Sequence, residues 1–72
     1  MNAKMFSLAL LKEINGFSQL GLITDEEREQ VVVLLKQFMI SGDREILTKL
    51  SKIEFKNDEL KKKIKEELKN GV

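Results

Sequence analysis

Leu20-Gly21-Leu22-Ile23-Thr24-Asp25-Glu26-Glu27 is the stretch whose reading decides the fold. Gly21 suits a helix end, where the chain leaves the right-handed region at no steric cost. Three residues on, Thr24 opens a capping box. Its hydroxyl is placed to accept from the backbone N–H of residue 27, and the Glu27 side chain is placed to reach back to the N–H of Thr24. Asp25, Glu26 and Glu27 put negative charge where a helix dipole favours it. An acidic trio also invites a metal-site reading, but no further ligand is spaced to complete an oxygen cage. The stretch is therefore a joint between two helices, and the segments on either side should carry helical periodicity.

They do. Upstream, a first helix is expected over residues 3–19, with Phe6, Leu10, Ile14 and Phe17 on one stripe at about 100° per residue. Leu8 and Leu11 fall off that stripe, Leu8 beside Asn15 on the opposite side, so the helix is apolar around most of its girth. Gly16 within it costs about 1 kcal/mol relative to Ala; it either permits a close helix approach or weakens the last turn. Downstream, residues 25–40 place Val31, Leu34, Leu35, Phe38 and Met39 on a core stripe. Val33 and Ile40 lie a heptad apart on the face that carries Glu29, Lys36 and Gln37.

Ser41-Gly42-Asp43 reads as a tight break, with Gly42 at a left-handed position and Ser41 or Asp43 capping the next helix. That third helix is expected over residues 43–55, with Ile46, Leu47, Leu50 and Ile53 on one face. Asn57-Asp58 offers another cap, and a fourth helix over 59–70 carries a narrow stripe of Leu60, Ile64 and Leu68 on a charged rod that Gly71 stops. With so few anchors it is expected to fray most easily. No segment alternates with period two, and Val31-Val32-Val33 sits inside a capped helical pattern. The expectation is an all-α fold: a compact four-helix domain spanning 1–72, with short connections. Its core is expected to hold Phe6, Leu10, Ile14, Phe17, Leu34, Leu35, Phe38, Ile46, Leu50 and Ile53.

The 72 residues include no His, Cys, Trp, Tyr or Pro. His general bases, thiol nucleophiles, disulfides and the His and Cys metal ligands are all absent. Glu26/Glu29 and Glu66/Glu67 are the available carboxylate pairs, each on a helix surface where solvated charge is the ordinary reading. No Lys falls on an apolar stripe, as a desolvated nucleophilic amine requires, and no Gly-rich phosphate loop occurs. The chain is read as no enzyme, with no metal and no cofactor. So small a domain has a marginal core, and the excess apolar girth around residues 5–11 points to a homodimer. That run is too short for a membrane span and lacks a small-residue cleavage site, so a soluble cytoplasmic protein with no membrane partner is expected.

The net charge of +1 is unevenly spread. Residues 1–48 hold five Lys/Arg and seven Asp/Glu, a net −2, whereas residues 49–72 hold eight and five, a net +3. Two function classes stay open. In the first, the chain is a small interaction protein that binds and modulates another macromolecule through Leu8, Val33 and Ile40, with a protein as partner. In the second, it is a DNA-associated protein that sets Lys52, Lys56, Lys61, Lys62, Lys63, Lys65 and Lys69 against phosphates, although interleaved acids dilute that field.

Two stretches resemble known families. Gly21-Leu22-Ile23-Thr24-Asp25-Glu26-Glu27, within residues 20–35, is similar to the turn of SHOCT-type short helical hairpins, which implies an oligomerisation or interaction element. Residues 34–68, centred on Gly42-Asp43-Arg44-Glu45-Ile46-Leu47-Thr48-Lys49-Leu50, look like the opening helices of a winged-helix DNA-binding domain. There Asn57-Asp58-Glu59-Leu60-Lys61-Lys62-Lys63-Ile64 would match the short helix. The recognition helix and wing of that family have no counterpart among the 72 residues, so its base-reading positions have nothing to map onto. The small size and Lys/Glu/Ile bias are similar to accessory proteins of phages and mobile elements in AT-rich bacteria.

Overall fold

Caps, more than propensity, set the helix boundaries. In the computed structural model, which describes residues 2–70, four helices succeed one another: α1 Ala3–Gln19, α2 Asp25–Ser41, α3 Glu45–Ser51 and α4 Asp58–Asn70. No strand occurs among the described residues. Asn2 caps α1 through an Oδ1 that accepts from the Met5 N–H at 2.8 Å. The end of α1 is a Schellman turn: the Leu22 N–H donates to Phe17 O, the Gly21 N–H to Ser18 O, and Gly21 sits at φ 71°. Thr24 and Glu27 then form the complete capping box.

Gly42 closes α2 in the left-handed region at φ 67°, its N–H donating to Phe38 O at 2.8 Å. Neither Ser41 nor Asp43 is the N-cap of α3: that position is Arg44, which makes no side-chain capping bond, and the two residues instead brace the connection. Ser41 Oγ donates to Gln37 O and accepts from the Asp43 N–H, and Asp43 Oδ1 accepts from the Glu45 N–H at 3.0 Å. Asn57 Oδ1 accepts from the Leu60 N–H at 3.0 Å and caps α4. Gly71, read as the stop of the fourth helix, lies outside the described residues.

The third helix is shorter than the apolar periodicity predicts. It spans Glu45–Ser51 rather than 43–55, and tighter i→i+3 bonds from Lys52 N–H to Lys49 O and from Ile53 N–H to Leu50 O close it. The chain then leaves the helical path through residues 52–57, and this turns Phe55 into the core. Much of the predicted core is buried: Phe6, Leu10, Ile14, Leu35, Phe38, Ile46 and Leu50. Phe17, Leu34 and Ile53, expected inside, are only half-buried at its margin. Ile23, Val31, Leu47, Phe55, Leu60 and Ile64 complete the interior. Leu60 and Ile64 are fully enclosed, so the narrow stripe of α4 is an effective anchor.

At its centre Phe6 of α1 meets Phe38 of α2 edge to face, with ring centroids 5.9 Å apart and planes at 88°, the arrangement the aromatic quadrupoles favour. Ser7 beside it is completely buried, and its Oγ has no hydrogen-bond partner among the described residues. The Cα radius of gyration is 11.1 Å, matching the roughly 11 Å of a fully compacted chain of this length, so the four helices share one core. Gly16 turns out to be exposed, and a Cβ built on it would meet nothing within 4 Å. It therefore mediates no close helix approach, and of the two readings of Gly16 only a weakened last turn remains.

Candidate functional site

Four inward positions of α2, Glu27, Val31, Leu35 and Phe38, bury one side of that helix. The opposite side therefore faces solvent, and it carries Glu26, Glu29, Val33, Lys36, Gln37 and Ile40, all exposed. Val33 is 46% exposed and Ile40 89%. At a rise of about 1.5 Å per residue the two stand roughly 10.5 Å apart along the helix. On α1 the same logic leaves Leu8 at 51% and Met5 at 58% exposed. All three apolar residues named from the sequence as partner-binding are thus at the surface, Leu8 on the outer side of α1 and Val33 with Ile40 on the outer side of α2. Leu20, at 72% exposed, is a further apolar residue at the α1–α2 joint that periodicity did not single out.

A shallow groove adjoins Val33. It is lined by Val33, Leu34 and Ile53, with Glu26, Glu29 and Gln30 along it, and it includes neither Ile40 nor Leu8. Ile53 lies two residues past the end of α3. The sequence signals that composed this groove were individually read as core, in Leu34 and Ile53, or as solvated charge, in Glu26 and Glu29.

The seven lysines named as phosphate ligands do not form one surface. Lys62, Lys65 and Lys69 share the outer side of α4 with Lys61, but Asp58 and Glu66 stand among them. Lys61 Nζ is bonded to Glu54 Oε2 at 2.7 Å, and this hydrogen bond and charge hold the Glu54 carboxyl below its ordinary value. Lys63 lies on another flank, close enough to Glu13 of α1 to act on its charge. Lys52 and Lys56 sit in the exposed segment between α3 and α4.

Two carboxylates have unusual surroundings, and both are structural. Glu27 is buried; its Oε1 accepts from the Thr24 N–H at 2.9 Å and its Oε2 from the Lys56 N–H at 2.8 Å. Burial pushes its pKa up, but the backbone hydrogen bonds from Thr24 and Lys56, the Thr24 hydroxyl and the Lys56 charge outweigh burial and leave it lowered. Glu13 is half-buried with Oε2 unpartnered. Desolvation raises its pKa, the charge of Glu67 on α4 adds to the rise, and Lys63 opposes it. No cluster of three or more Asp/Glu placed to hold a metal ion occurs among the described residues. No helix there is long and apolar enough to cross a membrane. No family model, no curated protein and no solved structure matches the chain.

Proposed function

We propose that the chain is a small helical interaction protein that binds another protein and alters its activity. It would act in the cytoplasm as a regulatory or accessory factor of the phage or mobile-element kind, and as a homodimer through the outer side of α1. The observation that carries this reading is the pair Val33 and Ile40, large aliphatic side chains left in water two turns apart on one side of α2. Isolated exposed apolar residues are ordinary; a spaced pair beside an apolar groove is the form of an anchor site, where few buried contacts supply most of the affinity. Leu8 and Met5 supply the corresponding surface on α1. No catalytic step belongs to this reading, since the chain offers neither His nor Cys for one.

The row Lys62, Lys65 and Lys69 on α4 supports a second reading, in which the chain docks on DNA phosphates. Asp58 and Glu66 beside that row, and the engagement of Lys61 by Glu54, weigh against it. A pull-down from the native host separates the two. Under the preferred reading, Val33→Asp loses the partner, Lys62/Lys65/Lys69→Glu keeps it, and capture survives raised salt. If capture depends only on the lysines, the partner is nucleic acid, and binding falls with a log–log salt slope of about −2.7 for three phosphate contacts, the preferred reading is wrong. Sedimentation equilibrium at micromolar concentration checks the dimer, and a monomer there refutes it.

A further inference from the structure

Of the two acids along the α2 groove, Glu29 is not explained by the helix that bears it. Asp25, Glu26 and Glu27 lie in the first turn, where the dipole favours negative charge. Glu29 lies beyond that turn. It stands three residues after Glu26 and four after Asp25, spacings at which like charges repel by about 0.2–0.5 kcal/mol per pair. The positions three and four residues beyond Glu29 are Val32 and Val33, and the nearby cation Arg28 stands three residues after Asp25 rather than at that spacing from Glu26 or Glu29. Among the described residues, neither Glu26 nor Glu29 makes an ion pair or a side-chain hydrogen bond. The same two carboxylates flank the groove of Val33, Leu34 and Ile53. An apolar groove with unrelieved negative charge on its edge is complementary to an apolar segment that carries positive charge.

Resting on the interaction reading above, we infer that this groove docks a basic amphipathic helix of another protein. Spacing along α2 specifies it. Glu29 lies about 6 Å from Val33 along the axis, and Glu26 and Ile40 each lie about 10.5 Å from Val33, in opposite directions. The partner helix runs alongside α2 and inserts one apolar side chain against Val33, Leu34 and Ile53. It lays a second over Ile40 two turns away, and it presents Lys or Arg one and two turns in the other direction, to Glu29 and Glu26. A helix suits the site because the anchors repeat with a heptad, and no sheet edge exists among the described residues to pair an extended strand. Phosphate is a poor occupant, since the groove edge repels it. Within a second copy, the outer side of α4 is a poor occupant: it is lined by Asp58, Lys61, Lys62, Lys65, Glu66 and Lys69 and offers no apolar anchor, while the outer side of α1, with Met5 and Leu8, is the surface given above to the dimer.

The probe is a synthetic helix-stabilised peptide of roughly 15 residues, long enough for the ~21 Å from Glu26 to Ile40. It carries two leucines seven residues apart and lysines one and two turns beyond the first. Its control replaces every Lys by Glu. Binding is followed by fluorescence anisotropy and by backbone amide shifts of the 72-residue protein. The expected result is saturable binding of the Lys peptide, with shifts centred on Glu26, Glu29, Val33, Leu34 and Ile53. Glu26→Lys/Glu29→Lys and Val33→Asp should each weaken it about tenfold, a change of about 1.4 kcal/mol, while Lys62/Lys65/Lys69→Glu leaves it unchanged. Every substituted site is exposed, and circular dichroism confirms that the variants are folded. Equal binding of the Glu peptide, shifts centred on α1 or α4, indifference to Glu26→Lys/Glu29→Lys, or self-association mapped to the groove would each overturn the inference. If the Lys peptide fails while Val33→Asp still abolishes capture of the native partner, the groove assignment falls and the interaction reading stands. If both fail, both fall.

Discussion

Glu27→Ala is the sharpest test of how this fold is held together. One carboxylate accepts two backbone N–H groups: Thr24 at the head of α2 and Lys56 in the segment between α3 and α4. Bonds to a charged acceptor contribute about 1.5–3 kcal/mol each, and both donors are partly buried, so water replaces the lost acceptor incompletely. Taking the low end for each, Glu27→Ala costs about 3 kcal/mol, which for a domain of this size lowers Tm by about 12–24 °C. Ala is a better helix former than Glu, so propensity works against the loss and cannot produce it. Glu27→Gln keeps one oxygen acceptor and should lose about half as much.

The pH dependence has a definite sign. The Glu27 pKa is lowered on folding, so its stabilisation is fully present above the ordinary glutamate value of about 4.3 and is lost as pH falls through the lowered folded-state value. Urea titrations followed by circular dichroism, at neutral pH and in acid, should show the gap between parent and Glu27→Ala narrowing in acid. Hydrogen exchange at the Lys56 amide should accelerate in the variant. A cost below about 0.5 kcal/mol, the lower limit for losing one such cap, or a gap that does not change with pH, refutes the account of Glu27 as a clasp.

Glu13 should behave in the opposite way. Its pKa is raised, so folding favours its protonated form; that stabilisation is present at low pH and lost as pH rises through the folded-state value. Glu13→Gln should therefore raise the urea midpoint at pH 7 and leave it nearly unchanged in acid. Phe38→Ala removes a fully buried ring and its edge-to-face contact with Phe6; a loss of about 3–5 kcal/mol is expected, seen by calorimetry as a collapsed or absent transition. Gly16→Ala adds a methyl into open space within α1 and should stabilise by about 0.5–1 kcal/mol; a measured loss would mean that Gly16 has a packing role.

The parts of the fold legible in the sequence were those specified locally. Gly21, Thr24 and Glu27 name a helix end, a cap and its reciprocal partner within seven residues, and the structure forms all three. The solvent-facing position of Val33 and Ile40 comes equally from the 3.6-residue period. What escaped was set by distant partners. Ile46, Leu47, Leu50 and Ile53 keep helical period beyond Ser51, so nothing local marks the end of α3. The path of residues 52–57 answers instead to the second oxygen of Glu27, which takes the Lys56 N–H, and to the inward turn of Phe55. A capping box accounts for one oxygen of a glutamate; only the folded chain shows where the other goes. The groove escaped because it joins residues of different elements: Ile53 lines it together with Val33 and Leu34 of α2.

The order of packing has a kinetic consequence. Each helix packs chiefly on its neighbour in the chain, α1 on α2, α2 on α3 and α3 on α4. Contacts so close in sequence require little loop closure before they form, and helical chains of this topology assemble in about microseconds to milliseconds. The bond from Lys56 to Glu27 spans 29 residues, a separation comparable with that between Phe6 and Phe38 in the α1–α2 contact. Contacts absent from the transition state govern how quickly a native chain opens more than how quickly it forms. Stopped-flow unfolding of Glu27→Ala therefore reads where the clasp belongs: faster opening with an unchanged folding rate marks it as a contact made after the barrier, and slower folding marks it as part of the nucleus.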